Sequence, residues 1–175
     1  MIRDFEGHRP QLGEGAWVDP QALVLGQVTL GADVSIWPMA VVRGDVNSIT
    51  IGARSNIQDN STLHVTHDGP YTPGGVPLVI GEDVTVGHGV TLHACTIGDR
   101  CLIGMGALVL DQAVLEDEVF LAAGSLVPPG KRLASGWLYR GAPAQPVRAI
   151  SDTERESLRY SAAHYVRLKR RHSEG

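Results

Sequence analysis

The chain has 175 residues, 43% of them hydrophobic, which suits one domain with a continuous core and leaves little for a second. Its 15 Lys and Arg against 19 Asp and Glu give a formal charge of -4, which argues against the clustered cations of a nucleic-acid interface. No apolar stretch resembles a leader or reaches membrane-spanning length, and Cys95 and Cys101 are too few to staple the chain, so a soluble, cytoplasmic protein with two small buried thiols is expected.

The 21 Gly and 10 Pro, set among β-branched residues, predict many short strands and many turns. Aliphatic residues recur every six positions at Val18, Val24, Leu30, Ile36 and Val42, then at Ile51, Ile57 and Leu63, then at Ile80, Val86 and Leu92. After one five-residue step they continue through Ile97, Ile103, Val109, Leu115, Leu121, Val127 and Leu133. A six-residue period describes an all-β solenoid of parallel strands and tight turns, each strand sending one aliphatic side chain inward. Three such sides close a coil of 18 residues, so residues 18 to 133, with the interruptions removed, give about six coils of a β-helix expected over 1–135.

Residues 66–78 interrupt the period, and Asp68-Gly69-Pro70-Tyr71-Thr72-Pro73-Gly74-Gly75 reads as a loop extruded from the coil. Past residue 135 the hexads stop, and 136–150 reads as a Gly/Pro connector leaving the solenoid. Ser151 with Glu154 forms a capping box that opens a helix over 151–175, with Leu158, Ala162, Tyr165 and Leu168 at helical spacing to pack on the solenoid.

The residues with chemistry fall at defined places on this repeat. His64 follows the marked Leu63 and His93 follows the marked Leu92, a separation of 29 residues. One coil of 18 leaves 11, which the extruded loop absorbs, so the two imidazoles stack in adjacent coils about 4.8 Å apart, a spacing that suits two ligands of one metal. His88 lies on the preceding side of the coil that carries His93 and faces another direction. A threefold homotrimer brings the three together by setting one side of each prism against a different side of its neighbour. Three neutral imidazoles with a fourth position open are a zinc set, although iron or cobalt fits as well.

At this point the sequence resembles a known family. Arg43-Gly44-Asp45, Arg54-Ser55-Asn56-Ile57-Gln58-Asp59, Leu63-His64 and Val86-Gly87-His88-Gly89-Val90-Thr91-Leu92-His93 look like the signature of the gamma-class carbonic anhydrases and their bacterial homologues. The resemblance implies a left-handed parallel β-helix of hexapeptide repeats with a C-terminal α-helix, assembled as a homotrimer. It also implies zinc on His64 and His93 of one subunit and His88 of the next, and an intersubunit ion pair between Arg43 and Asp59. Asp45 and Gln58 match residues near the reacting solvent, with Asn56 and, on the helix, Tyr160 as further catalytic candidates. The implied reaction is reversible hydration of carbon dioxide by zinc-bound hydroxide. The chain departs from the pattern where Val46 and His67 replace acidic residues and His164 replaces an Asn, which makes His67 or His164 the expected proton shuttle.

Alternatives from other classes share the coil. An acyl-CoA thioesterase would use the same metal and a basic groove near Arg140 and Arg148. A hexapeptide acyltransferase, which Gly141-Ala142-Pro143-Ala144 resembles, or a non-catalytic trimeric scaffold would need no metal.

Overall fold

Two-residue strands can close a stable wall only if each is paired on both sides by its equivalents in the coils above and below. That is the arrangement found in a computed structural model, which describes residues 1–173: a left-handed parallel β-solenoid with one C-terminal helix. One wall is an eight-stranded sheet. Trp17–Val18, Ser35–Ile36, Asn56–Ile57, Thr85–Val86, Leu102–Ile103, Phe120–Leu121 and Trp137–Arg140 lie parallel in it, closed by the antiparallel Gln145–Ala149. The other two walls merge into a 12-stranded sheet because Leu23–Leu30 and Val41–Ile51 each run around a corner. One of these walls carries Thr62–His64, Thr91–His93, Leu108–Val109 and Leu126–Val127, and the other carries Leu78–Ile80, Thr96–Ile97, Val114–Leu115 and Arg132–Leu133.

Every marked aliphatic position except Val18 is at most 1% exposed, so the six-residue spacing identifies the inward column of each wall. A second buried column, of smaller residues, stands two positions earlier: Val84, Val90, Cys95, Cys101, Ala107, Ala113 and Val119. The two cysteines are therefore small core residues; burial pushes both thiols up, Cys101 to about 12, which keeps them protonated. At the corners, non-glycine residues adopt left-handed backbone, among them Asp33, Arg54, Asp83, Arg100 and Glu118 in one file. Their side chains pair along that file, Arg54 with Glu82 and Asp83 at 2.7 Å and Arg100 with Glu118 at 3.3 Å.

The loop 66–78 leaves the wall as a narrow antiparallel excursion, bridged at its neck between Thr66 and Val76 and at its tip between Gly69 and Thr72. The segment 136–150 differs from the expected connector. Trp137–Arg140 adds another parallel rung beside Phe120–Leu121, with Tyr139 in register with Leu121, before the chain turns back. The period continues there for one more step, but its inward residue is an aromatic, 5% exposed, rather than Val, Ile or Leu. Gly141 and Ala144 then close the last rung by exchanging backbone hydrogen bonds with Leu126.

The helix runs over Asp152–Ser173, and the capping box forms: the Ser151 amide donates to Glu154 Oε2 at 2.8 Å and the Glu154 amide to Ser151 Oγ at 3.2 Å. The last two residues of the expected helix lie outside the described residues. Leu158, Ala162 and Lys169 are buried against the eight-stranded wall, and Tyr165 packs edge-on to Trp37 at 5.4 Å. No helix among the described residues is long and apolar enough to cross a membrane.

Candidate metal centre

Thr62–His64 and Thr91–His93 pair in parallel with His64 opposite His93, and the imidazoles meet: His64 Nδ1 lies 3.1 Å from His93 Nε2. Each ring is tied at its other nitrogen to a carboxylate. His64 Nε2 donates to Asp45 Oδ1 at 2.9 Å, and His93 Nδ1 donates to Asp111 Oδ1 at 2.7 Å. A neutral imidazole has one N–H. With both spent on carboxylates, two lone pairs face each other across the gap, which favours a cation between them.

The spacing fits a metal. Two nitrogens at 2.0–2.1 Å from a tetrahedral ion stand about 3.4 Å apart, close to the 3.1 Å found. Proton affinities agree with that role. Burial, the largest influence on His64, lowers its pKa against the pull of Asp45, and the Arg43 charge lowers it further, so the ring is a neutral donor at pH 7. Burial acts upward on Asp45, but hydrogen bonds from His64 and Arg43 outweigh it and hold the carboxyl below its usual range. At Asp111 burial is again the largest influence and is overcome by hydrogen bonds from Thr66 and His93.

The third histidine stands elsewhere. His88 is half exposed at the corner that follows Thr85–Val86, its Nδ1 2.9 Å from Asp59 Oδ2, which leaves Nε2 for a ligand role. Among the described residues no cluster of three or more His, Cys, Asp or Glu side chains able to hold a metal ion occurs. One chain thus presents a pair of imidazoles on a wall and, at a corner, a single one.

Other expected site residues fall as follows. Asp45 orients His64 and pairs with Arg43 rather than facing open space. Arg43 and Asp59 are not partners within the chain, since Arg43 holds Asp45 and Asp59 holds His88. Asn56 is fully buried and donates to Thr85 Oγ1 at 3.1 Å, and Gln58 Nε2 donates back to Asn56 Oδ1 at 3.1 Å. Gln58, His88, Thr85, Met105, Phe120 and Tyr165 line a largely apolar groove of about 490 Å3 between wall and helix. Tyr160 is 65% exposed, stacked on His164 at 6.1 Å with Arg167 above it, so these two helix residues lie apart from the histidine pair. His67 is exposed at the root of the loop. Arg148 is taken by Glu154 in a two-point ion pair at 2.7 and 2.8 Å, which removes it from the expected basic groove. Asp111, Thr66 and Tyr165 are site residues that the motif does not contain; Asp111 lies 18 residues after His93, so the coil length itself points to it.

Fold and site together define a hexapeptide-repeat β-helix protein with a histidine pair on one wall. The family described as "Bacterial transferase hexapeptide (six repeats)" matches residues 9–44. The chain belongs to the hexapeptide-repeat family, with proteins named gamma carbonic anhydrase among its homologues. Protein YrdA of Escherichia coli is 54% identical over 97% of this chain and 92% of its own length. Gamma carbonic anhydrase 1, mitochondrial, of Arabidopsis thaliana is 42% identical over 94% of this chain, which spans 59% of that protein. A solved structure described as a hexapeptide transferase family protein from Anaplasma phagocytophilum superposes with a TM-score of 0.89 at 39% identity, covering 97% of this chain and 96% of the other.

Proposed function

We propose that this protein is a zinc-dependent hydratase of the gamma carbonic anhydrase type, working as a homotrimer in which His64 and His93 of one subunit and His88 of the next hold the metal. What carries the reading is the convergence of His64 Nδ1 and His93 Nε2 at 3.1 Å, each ring fixed from behind by a carboxylate. A zinc ion bound there supplies Lewis-acid activation of water near neutral pH, with iron or cobalt as chemically admissible substitutes.

The chain's own residues do the remainder. Asp45 and Asp111 hold the two rings in the ligating tautomer. Gln58, its amide nitrogen committed to Asn56, presents its carbonyl oxygen to solvent or substrate in the groove beside His88. The apolar groove wall offers carbon dioxide a surface beside His88. His67, three residues past His64, is assigned the export of the proton, because His164 is engaged with Tyr160 on the outer face of the helix. Arg43 and Asp59, unpaired with each other in one chain, clamp adjacent subunits.

The test is metal analysis of protein purified without chelator, beside the carbon dioxide hydration rate and the oligomeric state. His88→Ala loses most of its metal and its activity while the trimer persists; full metal occupancy in that variant overturns the assignment. A second reading, hydrolysis of an acyl-CoA thioester at the same metal, is favoured by the 490 Å3 groove, far wider than a triatomic substrate requires. Metal-dependent thioester hydrolysis without carbon dioxide hydration selects it.

A further inference from the structure

Asp111 stands outside the sequence motif, yet both of its carboxylate oxygens are engaged beside the histidine pair. It precedes a corner where Ala94, Gln112 and Gly130 all take left-handed backbone in successive coils, with φ of 48°, 60° and 68°. The Gln112 amide donates to Ala94 O at 2.7 Å and the Gly130 amide to Asp111 O at 2.9 Å, so the backbone that carries Asp111 is fixed on both sides. From that base Oδ1 accepts the His93 Nδ1 proton at 2.7 Å, and Oδ2 accepts from the Thr66 hydroxyl. Thr66 is the neck of the extruded loop: its backbone exchanges hydrogen bonds with Val76 at 3.0 and 2.9 Å, and its carbonyl also accepts from Asn47 at 3.2 Å.

We propose that Asp111 is the positioning residue of the metal site: it holds His93 in the Nδ1–H tautomer with Nε2 aimed at the His64 Nδ1, and it bolts the neck of the loop to the same ring. The inference rests on the ligand reading given above, because His93 needs a fixed tautomer only if Nε2 binds something. Its physics is that of any ligating imidazole, whose free nitrogen is defined by the acceptor placed on the other. Without that acceptor the ring is free to turn and to carry its proton on Nε2, where it blocks the gap. Asn at this position still offers a carbonyl oxygen to His93, while its NH2 replaces the oxygen that accepts from Thr66, so Asp111→Asn keeps the direction of the imidazole's hydrogen bond and loses the charge and the Thr66 acceptor.

The full chain is compared as wild type, Asp111→Ala, Asp111→Asn, Thr66→Val and His93→Ala. Zinc affinity is read by chelator competition, and the His93 tautomer by long-range nitrogen–proton NMR of the metal-free protein. Asp111→Ala weakens zinc binding by about 10- to 100-fold and loses the Nδ1–H signature, and Asp111→Asn recovers most of both. Thr66→Val, which leaves the imidazole its partner, keeps the tautomer and an affinity within about threefold of wild type, below the change expected for an outer-shell partner. An Asp111→Ala variant with wild-type affinity and an intact Nδ1–H signal overturns the proposal, as does a Thr66→Val variant that falls equally far. If His93→Ala itself keeps wild-type affinity, the ligand assignment fails; if only Asp111→Ala does, the ligands stand and the role of Asp111 falls.

Discussion

Gly26 and Gly44 meet across the two long strands, and a Cβ built on Gly26 would lie 2.2 Å from the Gly44 carbonyl oxygen, on backbone that is already left-handed at φ 78°. Gly26→Ala is therefore expected to destabilise by at least about 2 kcal/mol in urea unfolding. Because Gly44 sits between Arg43 and Asp45, zinc affinity should fall with it; a variant as stable as wild type would refute the close approach. The histidine pair was legible in the sequence because its 29-residue separation resolves into a coil and a loop. Asp111 is one more coil length along, but an aspartate before a corner reads as a turn former, which conceals it. The orientation of Asp45 was not legible either. A residue facing solvent and one facing an imidazole occupy the same register, and only side-chain geometry separates them.

The helix is held by a lysine. Lys169 is 2% exposed, and its ammonium donates to Gly15 O and to Asp33 Oδ1, the latter at 2.7 Å. The hydrogen bond from Lys169 is the main reason the Asp33 carboxyl sits below its ordinary value, with burial opposing it and Arg170 assisting. A depressed carboxylate pKa stabilises the fold above the unfolded value, near 3.9, and that stability is lost as pH falls through the folded value. Lys169→Met should thus cost about 1–3 kcal/mol at pH 7 and progressively less toward pH 3, read as urea midpoints at the two pH values. An equal loss at both would exclude the ion pair as the cause. The capping box made the start of this helix readable. Its docking face was only partly so, because apolar spacing marks Leu158, Ala162 and Tyr165 but passes over a buried lysine. Tyr160 follows Leu158 by two residues, about 200° around the helix, which turns it from the wall.

At the scale of the molecule the core is a file of stacked layers, each taking one marked aliphatic side chain from every wall, and each coil touches only the coils above and below. Truncation of one core residue, Leu92→Ala, should cost about 2–5 kcal/mol. Amide exchange should accelerate in its own and the adjoining coils before the distant ones, as in a one-dimensional array; uniform acceleration along the chain would contradict that picture. Such a file was readable from the six-residue period alone, whereas Trp137–Arg140 escaped because its inward residue is Tyr139. A regular array carries a hazard of its own, since a coil displaced by one rung still presents aliphatic residues to its neighbours. Where Leu23–Leu30 pairs with Val41–Ile51, the partners jump from Gly26 opposite Gly44 to Val28 opposite Ile49, so the second strand carries extra length at that corner. This irregularity acts as an indexing notch. A Leu23–Leu30 strand slipped past it cannot match both sides of the corner, so the notch fixes the register of Val41–Ile51, the strand that brings Arg43 and Asp45 to His64.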